Sequence, residues 1–579
     1  MTRSSIIVIE QIARCLFALV GQNSPFPYCY YLSTRKLSLR QTDAFTMTGP
    51  TLDRLPSELI LGISEQLALD DRKSFSLTNS TVRSVIVSHL FKCLKVDCPL
   101  PDDHILPDVV QKYGNHVLKL HINVTFFPNP RSSENGDDTN HEDLGEDKSE
   151  EGSAEQDSED DATSEQGSVG EGAKGPGGEG SSRDGDGAED GDDAEDGDDV
   201  EDEDDAEDEG DGEDDDDDEK WYMKSPPDSV WARKEVDAQA VKDVLQFKGL
   251  PHCSTLSIYA NGNEDFEFEG DWDDNDIEAF SIYICTDVED WDDVARKEAK
   301  YAWRAALRDM WHDIATLSKA EHFEVSNFLP RTASSWLTTE WSKFLGRLKE
   351  LVLYTYGADN GAGWSANTLD GFNSFFRELS STMFTHAKRL ERLKIVAHDD
   401  GFLGSDSLVL SPGVLPALRV LHLEKMAITS TLISFLKARP QNLEEIHIEE
   451  CVAMNADSTY YGDLPTWAEL WKTMREENKE LVKVVYRQGD VPPLTENEKF
   501  PDSGRKPDEP EDERIVELRK QLAEDESLFI WPYVELDEKY GMTMQTEEVN
   551  ADQLEKGDDN REYRQLIIET EKRRKGGKA

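Results

Sequence analysis

Again and again in this 579-residue chain, an apolar residue is followed three positions later by a second, and two positions after that by a third, and seven such copies set the pattern. The copies are Val117, Leu120, Ile122; Cys253, Leu256, Ile258; Ala320, Phe323, Val325; Leu348, Leu351, Leu353; Leu390, Leu393, Ile395; Leu418, Leu421, Leu423; and Leu443, Ile446, Ile448. From Phe323 onward the middle residues stand 28, 42, 28 and 25 positions apart, the longest interval holding an insertion over Gly357–Asn367. Strand side chains alternate, so Leu421 and Leu423 are expected to face inward and His422 and Glu424 outward. An aspartate at His422 is accordingly expected to be nearly silent. The stretches between, such as Thr429–Ala438 and Gly371–Ala387, carry apolar residues at helical spacing. A single strand and helix cannot bury an apolar face. Units stacked in line can, and periods of this length mark a solenoid. The other reading is a non-repeating α/β domain.

Ahead of the repeats lie three short helical patterns. Leu55-Pro56 followed by Glu58 signals a helix start, because proline has a helical φ and lacks the N–H that a first turn leaves unpaired. Leu59, Ile63 and Leu67 then line one face, with Ile60 beside them. An aspartate of Leu69-Asp70-Asp71 is expected to cap a second helix running through Phe75 and Leu77. Asn79 offers the next cap, before Val82, Val85, Ile86, Leu90 and Phe91. So small a unit encloses little interior, and apolar surface left over on it implies a partner.

Charge is placed unevenly. Of the net −60, the stretch from Arg131 to Lys220 supplies −38, with 43 Asp and Glu against 5 Lys and Arg. It is nearly devoid of apolar residues, so burial cannot offset its ordering entropy and it is expected to be disordered. No domain is basic, which argues against nucleic acid. The apolar run Ile6–Val20 is too short, and too interrupted by Glu10, Gln11 and Arg14, to span a membrane. Seven scattered cysteines form no Cys-x-x-Cys pair, consistent with reduced thiols in the cytoplasm or nucleus. The C-terminal run Lys572–Lys575 reads as a solvated helix end or a nuclear address.

No catalytic or cofactor constellation emerges. The stretch from Asp271 begins like a calcium loop but has Asp276 at the glycine position and Ile282 at the glutamate position. Gly357–Gly363 lacks the Gly-Lys-Ser/Thr of a phosphate loop. His398-Asp399-Asp400 reads as a solvated loop in preference to an acid–base site. The chain is therefore expected to be no enzyme, with no cofactor and no metal.

The stretch built on Leu55, Pro56, Glu58, Leu59, Ile63, Leu67, Asp71, Ser76-Leu77, Asn79, Val82, Arg83 and His89-Leu90-Phe91 resembles the F-box, with Arg72 and Thr78 departing from the family's leucine and valine. The repeats after it resemble the degenerate leucine-rich repeats that often follow an F-box, without their asparagine ladder. The resemblance implies an α/β chain: a small all-α three-helix F-box, an irregular leucine-rich-repeat-like solenoid and a long disordered acidic insertion. The expected organisation is an N-terminal extension at 1–50, the F-box at 51–98, the start of the repeats at 99–130, the insertion at 131–220, the solenoid at 221–488 and a charged tail with helical segments at 489–579. The extension is expected to be disordered or a product of a misplaced start, since Met47 stands just ahead of the first helix. By resemblance, Leu55, Pro56, Leu59, Ile63, Leu77 and Val82 would serve either the interface with the Skp adaptor or the small core behind it. The implied function is substrate recognition in a Skp–cullin–F-box ubiquitin ligase, with a protein substrate on the repeats and transfer left to other subunits. The alternative is an acidic histone-binding or chaperone-like protein acting through 131–220.

Overall fold

The computed structural model describes residues 55–101, 104–126, 230–232, 234–261, 282–300, 302–404, 407–438, 442–455, 464–489, 493–494, 512–525, 527–537 and 539–576. The N-terminal extension, the acidic insertion and the calcium-like stretch beginning at Asp271 lie outside them.

Pro56 occupies the N-cap of α1 (Ser57–Glu65), and its carbonyl accepts the Leu59 and Ile60 N–H groups at 3.0 and 3.2 Å. Helix α2 (Leu69–Thr78) starts without a side-chain cap. Ala68 is its N-cap, which corrects the expected aspartate cap; Asp71 falls instead in the first turn, where a negative charge favours the helix dipole. Arg72 joins the two helices by donating to the carbonyls of Ser64 and Leu67 at 3.0 and 3.1 Å. Asn79 caps α3 (Ser80–Leu90), its side chain accepting the Thr81 N–H at 2.7 Å. Ile60, Ile63, Leu67, Phe75, Val82 and Ile86 form a core of their own, with Leu55, Leu61, Val85 and Leu90 packed against it. The buried face of α1 is thus Ile60–Ile63–Leu67, and Leu59 points away, 41% exposed.

Strand β1 (Cys93–Cys98), α4 (Leu106–Tyr113) and β2 (Lys119–Thr125) follow. Next come α5 (Glu235–Leu245), β3 (Thr255–Asn261), α6 (Trp291–Lys300), α7 (Ala302–Leu317), β4 (His322–Phe328), α8 (Thr339–Arg347) and β5 (Glu350–Thr355). Helix α9 (Asp370–Leu379) continues through a π-turn into β6 (Arg392–Val396), then β7 (Val420–Glu424), β8 (Ala427–Ile428), α10 (Ser430–Lys437), β9 (Glu445–Glu449), β10 (Val452–Met454), α11 (Trp467–Glu477) and β11 (Lys483–Arg487). Nine strands form one sheet in chain order, β1-β2-β3-β4-β5-β6-β7-β9-β11, with every neighbouring pair parallel.

Parallel neighbours cannot be joined by tight turns, so each step needs a crossover, and helices supply most of them. The register puts the repeated apolar residues side by side: Leu94, Leu120, Leu256, Phe323, Leu351, Leu393, Leu421 and Ile446 in one row, Val96, Ile122, Ile258, Val325, Leu353, Ile395, Leu423 and Ile448 in the next. All are buried, and one continuous core joins these rows to the helices. Between β4 and α9 the space is filled by aromatic rings. Trp311 on α7 meets Phe323, Phe328, Trp336 and Trp341 edge-on at 5.6–6.3 Å. The fold is mixed α/β, a parallel sheet preceded by a small helical unit.

From residue 513 onward the chain adds α12 (Glu513–Glu524), β12 (Tyr533–Leu536), β13 (Thr543–Gln545), α13 (Glu547–Lys556) and α14 (Asp558–Gly576). Strands β8, β10, β12 and β13 make a second, four-stranded sheet, so the segment read from sequence as a charged tail is built into the body. Trp531 and Tyr533 are buried, and the Trp467 indole N–H donates to the Pro532 carbonyl at 3.0 Å. Helix α14 packs along α11, and Arg573 donates to the carbonyls of Arg475 and Asn478 at 2.7 and 2.8 Å near the C-terminal end of α11. One arginine of the basic run is therefore a helix-end donor, while Lys572 and Lys575 pair with Glu569 and Glu571 on their own helix.

Candidate functional site

Two surfaces stand out. The first is on the three-helix unit. The structure divides the residues singled out from the sequence into two sets. Ile63 and Val82 are fully buried in the small core. Leu59 is 41% and Leu77 74% exposed, Pro56 is exposed, and Leu55 is half-buried against the core. The inward set fixes the shape of the unit, and the outward set is available for contact. Both outward leucines sit on helices whose buried positions are already filled, so the apolar surface they expose is not required by this core.

The second surface is the open face of the parallel sheet. Its central row reads Lys95, His121, Ser257, Glu324, Val352, Lys394, His422, His447 and Val485. Parallel sheets are usually covered on both faces. This one carries a ladder of paired charges on one side. Lys119 meets Glu324 at 2.7 Å, Ser257 donates to Glu324 at 3.1 Å, His322 meets Glu350 at 2.8 Å, and Lys394 meets Glu424 at 2.9 Å. At the β7–β9–β11 end, Arg487 reaches Glu449 at 2.8 Å and Glu450 at 3.2 Å.

His422 corrects the sequence reading. It does face away from the core, but it is only 18% exposed, lies 3.4 Å from both Glu424 and Glu449, and stacks on His447 with ring centroids 5.0 Å apart. A carboxylate placed there would meet two others, so an aspartate is not silent. Burial, with the nearby Lys394 charge, pushes the His422 imidazole below its ordinary pKa. Burial pushes the Glu445 carboxyl up, but its bonds to Lys483 and His447 more than offset this and hold it below the ordinary carboxylate range.

The remaining sequence candidates resolve into structural roles. Asp399 pairs with Lys425 at 2.6 Å, and the Asp400 N–H donates to His398 Nδ1 at 3.1 Å within a turn that Gly401 closes. A Cβ on Gly401 would lie 2.4 Å from the Tyr356 carbonyl, which explains the glycine. A shallow pocket of about 410 Å³ beside α4 is lined by Val110, Gln111, Asn115, Phe247, Gly249 and Pro251, a lining with no titratable group. Cys98, Cys253, Cys285 and Cys451 are buried free thiols, with burial pushing Cys285 and Cys451 up to about 12. Among the described residues no helix is long and apolar enough to cross a membrane. Comparison with protein-family models and with curated proteins finds no match.

Sequence reasoning missed the cross-strand partners of the open face. His422 and His447 stand 25 residues apart, and only the strand register makes them neighbours.

Proposed function

We propose that the chain is a substrate-recognition subunit of a Skp–cullin–F-box ubiquitin ligase. On this reading the three-helix unit is an F-box that docks on the Skp adaptor. The following α/β region is an irregular leucine-rich-repeat-like solenoid whose charged open face holds a protein substrate. The observation that carries the reading is the three-helix unit itself: a core of six residues complete in itself, with Leu59 41% and Leu77 74% exposed beside it. Leu55, Pro56, Leu59 and Leu77 would make the adaptor contact, and Ile63 and Val82 would hold the helices in place behind it. The strict chain order of the parallel strands supports stacked repeats, and the mixed charges of the open face suit a partner with a complementary pattern. Ubiquitin transfer belongs to other subunits, and the chain contributes positioning.

Affinity purification of the tagged full-length chain from its native cells tests the reading. The Skp adaptor and cullin should be recovered with the wild type and lost with the Leu59→Asp, Leu77→Asp double variant. Recovery of histones instead, in a salt-sensitive manner and without the adaptor, would replace this reading by the acidic chaperone.

A further inference from the structure

The β7–β9 end of the open face holds a cluster that the partner-binding reading does not use. His422 and His447 are register partners on β7 and β9, as are Glu424 and Glu449. His422 Nε2 is buried without a hydrogen-bond partner and lies 3.4 Å from Glu449 Oε1. His447 Nδ1 lies 3.6 Å from the same oxygen. The other His447 nitrogen, Nε2, is 2.5 Å from Glu445 Oε1. A carboxylate only accepts, so this contact assigns the proton to Nε2 and leaves the Nδ1 lone pair directed toward Glu449. Two imidazole nitrogens and one carboxylate oxygen therefore converge, and one ligand atom from each of the three residues lies within 4.8 Å of the others.

We propose that His422, His447 and Glu449 form a zinc site, with Glu445 as the positioning residue that orients His447 from behind. Two imidazoles and a carboxylate are a zinc donor set, whereas calcium and magnesium take oxygen ligands throughout. Metal-bound histidines characteristically donate their second N–H to a carboxylate, as His447 does to Glu445. His422 Nε2 makes no hydrogen bond although two carboxylate oxygens lie 3.4 Å away, and a cation bound between it and Glu449 would satisfy it.

The surrounding charges are compatible with this role. Arg487 binds the opposite oxygen, Glu449 Oε2, at 2.8 Å and leaves Oε1 turned to the histidines. Glu424 Oε2, 3.4 Å from His422 Nε2, is already engaged by Lys394 at 2.9 Å and remains an outer charge. Exposures of 15–20% leave a path for the ion and a fourth position for water or a ligand from a bound protein.

The test uses the full chain, stripped by a chelator and equilibrated with zinc at buffered sub-micromolar free concentration, followed by elemental analysis. The wild type should retain one zinc more per chain than either His447→Ala or Glu449→Gln. Weak binding by other carboxylates is common to all three proteins and cancels in the difference. His121→Ala, on the same face but outside the cluster, should match the wild type. Glu445→Gln should weaken zinc affinity by on the order of 10- to 100-fold without abolishing it. Cobalt in place of zinc should give the visible absorption of a four-coordinate ion in the wild type and not in Glu449→Gln, a nearly isosteric change whose circular dichroism should equal that of the wild type. Equal zinc content in the wild type and Glu449→Gln, or a wild type that retains none, would overturn the proposal.

Discussion

Replacing Glu289 by glutamine removes the one negative charge at a point where three cations converge. The Glu289 side chain is 5% exposed and accepts from both terminal nitrogens of Arg304, Nη1 and Nη2, end-on at 2.8 and 2.9 Å. Lys297 lies 3.1 Å away and Arg331 3.7 Å. Burial pushes the Glu289 carboxyl up, but the Arg304 hydrogen bonds and the surrounding positive charges outweigh it and hold the pKa at about 2, against 4.5 ordinarily. A displacement of that size corresponds to about 3 kcal/mol of stability at pH 7. Breaking a buried pair while leaving its partner charged costs about 3–5 kcal/mol, an independent figure of the same size. Because the folded pKa lies below the unfolded one, the contribution is complete above pH 4.5 and is lost as the pH falls toward 2. About 1.4 kcal/mol should remain at pH 3. Urea denaturation followed by tryptophan fluorescence, for which Trp303 beside Arg304 is a local reporter, measures the gap between wild type and Glu289→Gln at both pH values. Equal stabilities at pH 7, or a gap that does not shrink at pH 3, would refute the reasoning.

Three further outcomes are expected. Leu421→Ala, in the buried row, should cost about 2–5 kcal/mol in thermal or urea unfolding, and His422→Asp on the opposite face should cost at least about 1 kcal/mol through repulsion from Glu424 and Glu449; a silent His422→Asp would contradict the open-face ladder. Burial raises the Asp559 carboxyl to about 6 despite hydrogen bonds from the Tyr533 hydroxyl and the Ala468 N–H. Its folded pKa lies above the unfolded one, so its charge costs stability above pH 6, and the cost is relieved as the pH falls from 6 toward 3.8. Wild type should therefore gain roughly 1 kcal/mol on Asp559→Asn between pH 7 and pH 5, and parallel stability curves would refute this. Cutting the acidic stretch 131–220 from about ninety residues to about ten should alter stability by only about 2 kcal/mol, since closure entropy varies slowly with length; adaptor binding should persist, and its loss in a still-folded chain would mean that the stretch itself forms the functional surface.

The strands were legible because a parallel sheet with one buried face repeats its apolar pair in every strand. Leu120 and Ile122, or Leu421 and Leu423, need no knowledge of their neighbours to be read as inward. Their outward neighbours were not legible in the same way. Whether His422 meets water or two glutamates depends on β9, and β9 is placed by register, not by local sequence. On α1 the sequence places Ile63 and Leu67, with Ile60 beside them, on the face that is buried, and misplaces only Leu59: a four-residue step reaches Ile63 from Leu59 and a three-residue step from Ile60, and the packing of Phe75 and Val82 selects Ile60. Helix α7 carries a clear signal in Trp303, Leu307, Met310, Trp311 and Ile314 at helical spacing, masked by the strand pattern of Ala320, Phe323 and Val325 just after it. The charged helices of the C-terminal segment read as a tail, and the aromatic run Phe529–Leu536 alone marks it as latching onto the folded body. Its anchors are a few aromatic and polar residues, Trp531, Tyr533 and Asp559, whose partners lie far away in sequence on α11.

Isothermal titration of the purified Skp adaptor into the full-length chain tests the central claim most directly. The wild type should bind, and the Leu59→Asp, Leu77→Asp double variant should bind on the order of a hundredfold more weakly, because each exposed leucine contributes about 1.5 kcal/mol or more when buried in an interface. Both chains should give the same circular dichroism, since neither leucine belongs to the buried core. A wild type that does not bind the adaptor, or a double variant that binds it equally well, would contradict the account.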